Sequence, residues 1–304
     1  MAISCACDFG LGNTGRPNCV SIAGVTYSII LTPTFDDSGV KNFIDTTVPL
    51  NAAFFTALIN GSTDTRIFPF PSMLNVEDIR GESLTESFNN GSVVKTGVGT
   101  RTFKALMLKL SPAFFGKIES YGCSNISAYA VDVNGALIGN GSEVGKLYPL
   151  RLDEETWDPI FMKPTDTTVT KIELNYSYSR TENDSDLAMI ESSEIASDVD
   201  LRELSGLQDV TVVITNDATT GFTATLTGDY GSAVAANTIK GLILGDFSLN
   251  ETFPTPAPEP FSVDESADGV YDFTYTTPVA SADVLALDLT KDGFEMTTAV
   301  ITTP

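Results

Sequence analysis

The sequence predicts a mainly β protein, in which an N-terminal antiparallel β-sandwich or barrel with one or two helices precedes an immunoglobulin-like β-sandwich. Three observations support this fold class. Hydrophobic residues make up 42% of the 304 residues and charged residues only 19%, a composition that favours strands and turns. Apolar and polar residues alternate in many short segments, which is the period of a half-buried strand. Asn-Gly and Asp-Gly pairs separate several of these segments, as they do in β-hairpins.

In the N-terminal part, alternation and turn residues predict strands and two hairpins. Residues 25–31 and residues 172–178 are predicted strands, the second with one buried face and one wet face. Asn134-Gly135 and Asn90-Gly91 each separate two such runs. Because Asn and Gly tolerate positive φ, both pairs predict type I′ turns, which need positive φ at both central residues.

Helices are predicted at two places. Ser111 has the chemistry of an N-cap, Pro112 suits the first helical position, and Gly122 follows the end of the apolar pattern. A second short helix is predicted over residues 51–59. An acidic stretch, residues 184–203, is predicted to be helical or a loop.

A change in composition near residue 205 predicts a domain boundary. Residues 206–304 contain 2 basic and 14 acidic residues (2 − 14 = −12), whereas residues 1–205 contain 15 and 26 (15 − 26 = −11). The second part therefore carries as much negative charge at half the length. We predict one domain over residues 1–205 and a second, immunoglobulin-like domain over residues 206–304.

The second domain is predicted to consist of short strands. Alternating apolar residues mark runs near residues 210–214, 222–226, 271–275 and 285–289. Asp268-Gly269 and Asp292-Gly293 are predicted hairpin turns. The proline-rich residues 253–260 are predicted to form a stiff exposed loop rather than a strand.

Charge and missing residue types exclude several classes of function. The net charge is −23 and the 17 basic residues are scattered, whereas binding to nucleic-acid phosphates needs clustered Lys and Arg. Histidine is absent, which removes the commonest general base and metal ligand. We expect a protein that is not an enzyme, with no catalytic, cofactor-binding or metal-binding residues and no cofactor. The start of the chain lacks the features of a signal peptide, so folding in a cytoplasm is expected.

The four cysteines are Cys5, Cys7, Cys19 and Cys123. Together they would supply four thiolates for zinc, but their spacing differs from the paired C-x2-C pattern of zinc modules. Free thiols are the favoured interpretation because disulfides are not the default in a cytoplasm.

Other candidate sites have a simpler structural interpretation. The first is a set of acidic residues, Asp153, Glu154, Glu155 and Asp158, which is more consistent with a solvated loop than with a carboxylate pair. The second is an aromatic platform for sugars, made of Trp157, Tyr148 and Phe161, for which a place in the core is favoured. The third is two calcium-like patterns, Asp184-x-Asp186 and Asp288-x-Thr290-x-Asp292-Gly293, which lack the final Glu of a calcium loop.

Residues 78–100 form a long polar stretch that we predict to be irregular or a mobile hairpin. Gly97-x-Gly99-Thr100 within it is too short for a phosphate loop and lacks the following Lys. Loops of this length in compact domains are usually functional. We therefore expect the stretch either to be functional and ordered by a partner or to be an ordinary mobile hairpin.

Residues 1–205 contain six segments whose order along the chain is informative. They are Arg16-Pro17-Asn18-Cys19, residues 25–31 with Pro33, residues 66–69, residues 131–139, Lys146-Leu147-Tyr148-Pro149-Leu150 and residues 171–178. This order resembles that of major tail proteins (tail-tube proteins) of long-tailed bacteriophages that infect Bacteroidota. The resemblance implies a tail-tube-like domain of two antiparallel sheets with a flanking helix. It also implies rings, usually hexameric, around a DNA channel, with immunoglobulin-like domains on the outside.

The resemblance leads us to expect a structural virion protein that self-assembles into stacked rings and forms the phage tail tube. Its expected partners are other copies of itself, other tail proteins, and DNA only as passing cargo, with no membrane. Its expected location is the virion tail, after folding in the host cytoplasm. The alternatives are a head-decoration or tail-terminator protein, an exported adhesin, or a carbohydrate-binding protein that uses Trp157.

Overall fold

The computed structural model describes residues 22–122, 124–232, 234–253 and 257–304, and it confirms a mainly β protein with several antiparallel sheets. The strands of the N-terminal part are β1 (Thr26–Pro33), β2 (Ile44–Asp45), β3 (Phe68–Pro69), β4 (Leu74–Arg80), β5 (Leu84–Ser87), β6 (Val93–Gly97), β7 (Arg101–Leu108), β8 (Ile126–Asp132), β9 (Leu137–Asn140), β10 (Lys146–Leu147), β11 (Leu150–Arg151), β12 (Asp158–Met162), β13 (Lys171–Ser177) and β14 (Leu187–Ile190). The helices are α1 (Ala52–Ile59) and α2 (Pro112–Glu119).

The N-terminal part is built around a sheet that is covered on both faces. This sheet has the order β14-β9-β8-β1-β3, and a second sheet has the order β12-β13-β7-β4. Ile29 and Leu31 of β1 pack with the second sheet, in a cluster that includes Phe103. Ile30, which points the other way, packs with Phe55 of α1. The apolar run in β1 is therefore continuous because both of its faces are buried.

Both predicted helices are confirmed, together with their caps. The side chain of Asn51 accepts a hydrogen bond from the N–H of Phe54, and that of Ser111 accepts one from the N–H of Phe114. Each cap satisfies a backbone donor that has no partner inside its helix. The side chains of α2 pack beside β12 and close one end of the core.

Both N-terminal hairpins are confirmed, but the predicted type I′ turns are wrong. The pairs are β8 with β9 and β5 with β6. Only the glycine of each turn has a positive φ, +84° at Gly135 and +82° at Gly91. Each turn also has one residue more than the two-residue loop of a type I′ hairpin. This is the length of a type I turn that ends in a glycine bulge. At the first hairpin, the carboxylate of Asp132 accepts the N–H groups of Asn134 and Ala136, which stabilises the longer turn.

The C-terminal part is a two-sheet sandwich. Its strands are β15 (Gln208–Ala218), β16 (Gly221–Gly228), β17 (Asn237–Thr238), β18 (Phe247–Phe253), β19 (Ala257–Pro258), β20 (Phe261–Ala267), β21 (Val270–Tyr275), β22 (Val284–Leu289), β23 (Phe294–Met296) and β24 (Ala299–Thr302). One sheet has the order β20-β21-β16-β15-β23 and the other β19-β18-β22-β24. Phe222 and Phe273 from the first sheet pack with Phe247 and Leu287 from the second. This strand order is that of an immunoglobulin-like sandwich.

One local prediction is wrong and two others are wrong in part. Asp292-Gly293 does not join a hairpin, because β23 crosses to the other sheet and pairs parallel with β15. Residues 184–203 contain a strand, β14, which is stabilised by pairing with β9. The proline-rich loop includes β19, whose two residues pair with β18 at the edge of a sheet. For β14 and β23 the deciding partner lies far away in the sequence, whereas β19 pairs with the strand just before it.

The position of the boundary near residue 205 stays a prediction, although two features support it. No described strand of residues 22–207 pairs with a described strand beyond residue 207. Leu207 packs against the N-terminal core, whereas the cluster that contains Val210 draws only on the C-terminal sandwich.

We predict that residues 1–205 fold without the second part, because their core is separate and the partly exposed ion pairs of Lys117 with the second part contribute only about 0–1 kcal/mol each. Trp157, the only tryptophan, is buried and donates its indole N–H to the carbonyl of Ile118. A chain truncated after Ser205 should keep blue-shifted tryptophan emission and a cooperative unfolding transition. Red-shifted emission without a transition would contradict the boundary.

Candidate assembly surfaces

The most prominent surface feature is a two-stranded ribbon formed by β5 and β6, which pair only with each other among the described residues. Residues 81–96 are all exposed to solvent, and their strands pair only through backbone hydrogen bonds within the ribbon. We call residues 81–100 the ribbon. It is an insertion in the hairpin of β4 and β7, since Arg80 pairs with Arg101 in that ladder. The predicted irregular stretch is therefore mostly regular β structure.

The ribbon carries exposed apolar side chains. They are Leu84, Phe88, Val93, Val94 and Val98, each between 47% and 63% exposed. Ile79, just before the ribbon, is exposed as well. Apolar groups concentrated on one projection are unusual on the surface of a monomer and mark interaction sites. The ribbon was predicted to be polar. The apolar residues Leu84, Phe88, Val93 and Val94 were the signal in the sequence that could have corrected this prediction.

The base of the ribbon is narrow because two glycines meet there. A Cβ atom on Gly99 would lie 2.1 Å from the carbonyl oxygen of Gly81, so no larger residue fits. The N–H of Gly81 donates to the carbonyl of Thr100 at 2.8 Å. Gly99, from the sequence Gly97-x-Gly99, thus serves a close backbone approach.

Two arginines fix the base of the ribbon to the domain. Arg101 donates to both carboxylate oxygens of Asp78, at 2.6 and 2.7 Å, and its guanidinium stacks over the ring of Tyr178. Arg80 binds Asp184 and also donates to the carbonyl of Gly99 at 3.0 Å. Bidentate arginine–carboxylate pairs have a defined geometry. The orientation of the ribbon at its base is therefore fixed.

These contacts change the acidity of the groups involved. Burial disfavours the cation of Arg101, but its hydrogen bond to Asp78 and nearby negative charges outweigh burial, so the pKa of Arg101 is raised. Hydrogen bonds from Arg80 lower the pKa of Asp184 below its usual value, and burial only partly opposes this effect. Asp184 is thus a partner of Arg80.

Sheet edges offer a second kind of assembly surface. Strands β12 and β4 lie at the two ends of their sheet, and β14 and β3 at the ends of the other. An edge strand presents unpaired backbone N–H and C=O groups that can pair with another chain. Exposed Ile160 on β12 and Leu74 on β4 add apolar surface to the edges of the same sheet as the base of the ribbon.

The two parts of the chain meet around Lys117 of α2. Its ammonium group binds the carboxylates of Asp209 and Asp229 and lies over the ring of Tyr230. Burial alone would lower the pKa of Lys117, but the two carboxylates outweigh it and raise the pKa. Arg66 binds Glu295 through two hydrogen bonds at the same junction. A cleft of about 690 Å³ lies between these contacts.

The other predicted sites do not come together as sites. Trp157 is confirmed as a core residue and packs with Phe161, while Tyr148 lies elsewhere and contacts Phe43. Glu154 pairs with Arg151. Within the residues that the structure describes, no group of three or more acidic or cysteine side chains is placed to hold a metal ion. The four cysteines lie outside the described residues.

Comparison with known proteins does not assign the chain to a family. No family model matches it, and no curated protein is significantly similar to it. Among the described residues, no helix is both long enough and apolar enough to cross a membrane. The function is therefore inferred below from the surfaces of the protein and from its sequence resemblance.

Proposed function

We propose that this protein is a structural subunit that self-assembles into stacked rings and forms the tail tube of a bacteriophage. The observation that carries the proposal is the ribbon, an apolar projection held in a fixed orientation by Arg80 and Arg101. The resemblance of residues 1–205 to major tail proteins supports the same function. In this proposal the protein is not an enzyme, and it resides in the virion tail after folding in the host cytoplasm.

The ribbon has the properties of a connector between subunits. An isolated two-stranded ribbon is only marginally stable in water, and packing against a partner would stabilise it. Burying Val93, Val94 and Phe88 would each contribute about 1.5–3 kcal/mol if burial were complete. A neighbouring subunit offers that burial, and the fixed base of the ribbon sets its direction.

Edge strands supply the contacts within a ring. Pairing of β12 or β4 with an edge of the next subunit would satisfy their free backbone groups and extend the sheet. Repetition around an axis would close these sheets into a barrel, which leaves no free edge. The resemblance implies that a ring usually contains six subunits.

The charge of the chain suits a tube through which DNA passes. A net charge of −23 per subunit repels DNA phosphates, so DNA would not adhere while it moves. Other copies of the chain and other tail proteins are the proposed partners. Among the alternatives, carbohydrate binding loses its motivation, because Trp157 is buried in the core and is not available to stack on a sugar.

We predict that removing the ribbon prevents rings from stacking but leaves the subunit folded. Because Arg80 pairs directly with Arg101, residues 81–100 can be replaced by an Asn-Gly turn without a change of register. The variant should unfold cooperatively and sediment as monomers or single rings where the wild-type protein forms larger particles. Wild-type particle size from this variant would contradict the role of the ribbon.

A matched pair of point variants controls for a general loss of surface hydrophobicity. Val93→Ser removes an exposed valine from the ribbon, and Val144→Ser removes a fully exposed valine from a turn elsewhere. Only the first should reduce particle size in sedimentation. Equal effects of the two variants would show that hydrophobicity alone, and not the ribbon, drives association.

We also predict that salt promotes assembly. Repulsion between subunits with a charge of −23 acts over the Debye length, which falls from about 30 Å at 0.01 M salt to about 3 Å at 1 M. Apolar and backbone contacts are short-ranged and are weakened less. Light scattering at fixed protein concentration should show growth of particles as salt increases.

Assembly that peaks at low salt would contradict this prediction and would indicate opposite charges at the interface. The basic residues on or beside the ribbon that could make such a contact are Arg80, Lys95 and Arg101. The structure leaves Lys95 in this role, because Arg80 and Arg101 are bound to carboxylates of their own chain.

A further inference from the structure

Three buried oxygen atoms at one end of the C-terminal sandwich have no hydrogen-bond partner. They are Oδ1 of Asp217, Oε1 of Glu259 and the hydroxyl of Tyr275, and they are the only such side-chain atoms among the described residues. Tyr275 is 5% exposed. Buried polar atoms are nearly always hydrogen-bonded, so a cluster of exceptions needs an explanation.

The three residues are brought together by the loops that close this end of the sandwich. Asp217 lies near the end of β15, Glu259 lies just before β20, and Tyr275 ends β21. The N–H of Tyr275 donates to the carbonyl of Thr220, and that of Thr276 to Pro260, which ties the three chain segments together. We call Asp217, Glu259 and Tyr275 the acidic end.

The acidic end has a negative charge without a cation of its own. Burial raises the pKa of Glu259, and the nearby carboxylates of Glu251 and Asp283 raise it further. Burial also raises the pKa of Asp217, and burial followed by the charges of Asp217 and Glu259 raises that of Tyr275. The two lysines of this part of the chain bind carboxylates elsewhere, Lys240 at Asp268 and Lys291 at Asp246.

The group that matches these oxygens is a cation with several hydrogen-bond donors. The acidic end supplies two carboxylates and one hydroxyl from three separate chain segments. A guanidinium has five N–H donors in a planar fork and can reach separated acceptors at once. An arginine side chain is therefore the best match.

One arginine of the described residues is free to act as this donor. Arg180 lies exposed on the turn after β13 and makes no ion pair or side-chain hydrogen bond. The other described arginines have partners, namely Arg66 with Glu295, Arg80 with Asp184, Arg101 with Asp78, Arg151 with Glu154 and Arg202 with Asp200. Since Arg180 does not reach the acidic end of its own chain, a second copy is the occupant that fits.

We propose that Arg180 of one copy binds the acidic end of a neighbouring copy, between Asp217 and Glu259. The contact links the N-terminal part of one subunit to the C-terminal sandwich of the next. It rests on the proposed self-assembly and adds a specific contact to it. A charge pair that is buried on assembly is screened by salt much less than the diffuse repulsion between subunits.

Charge exchange tests the contact in the full-length protein. Arg180→Glu and Asp217→Arg should each weaken self-association by about tenfold or more, as for close charge pairs at interfaces. The double variant should recover most of this loss. Sedimentation velocity over a concentration series at physiological salt measures the effect, and Trp157 emission together with circular dichroism checks folding. Asp217→Asn and Glu259→Gln keep the side-chain shape and should also weaken association.

The matched control is Asp264→Arg, which reverses an exposed charge on β20 of the same sandwich. Combined with Arg180→Glu, it should give no recovery. Equal recovery from this control would overturn the proposal, because net charge would then be the cause. If the Arg180→Glu variant associates as strongly as the wild-type protein, the contact is overturned and the tube proposal stands. If the wild-type chain itself stays monomeric at every concentration, both proposals are overturned.

Discussion

The sheet with the order β14-β9-β8-β1-β3 is buried on both faces, and the rest of the N-terminal part depends on this double burial. Ile29 and Leu31 pack on the second sheet, while Ile30 packs on α1. Truncating one such side chain to alanine typically costs about 2–5 kcal/mol, whereas an exposed ion pair contributes about 0–1 kcal/mol. The apolar core therefore determines the fold, and the ion pairs at its surface fix the directions of attached elements.

This distinction explains how the ribbon and the C-terminal sandwich are arranged. Each is attached to the core by charged contacts, the ribbon through Arg80 and Arg101 and the sandwich through Lys117 and Arg66. Neither adds to the N-terminal core. In the proposed function, both elements reach outward, and their exposed surfaces would be buried only when subunits meet. In that function, repulsion between the acidic chains would slow their association.

Much of the fold could be predicted from the sequence because it is encoded locally. Ser111 and Pro112 define the start of α2 within a few residues, and Asn134-Gly135 defines a hairpin in the same way. The strand β14 and the crossing of β23 were missed, since each depends on a partner far along the chain. The ribbon was located correctly but was predicted to be polar. Its base could not be predicted, because Arg80 and Asp184 are 104 residues apart.

In the proposed function, copies of this chain form a hollow tube. Negative-stain electron microscopy of the purified full-length protein, at a salt concentration that screens its charge, would make such a tube visible. We predict rings of uniform diameter and stacks of rings with a continuous central channel. A protein that remains as single particles, or forms only irregular aggregates, over the whole range of salt and protein concentration would contradict the account.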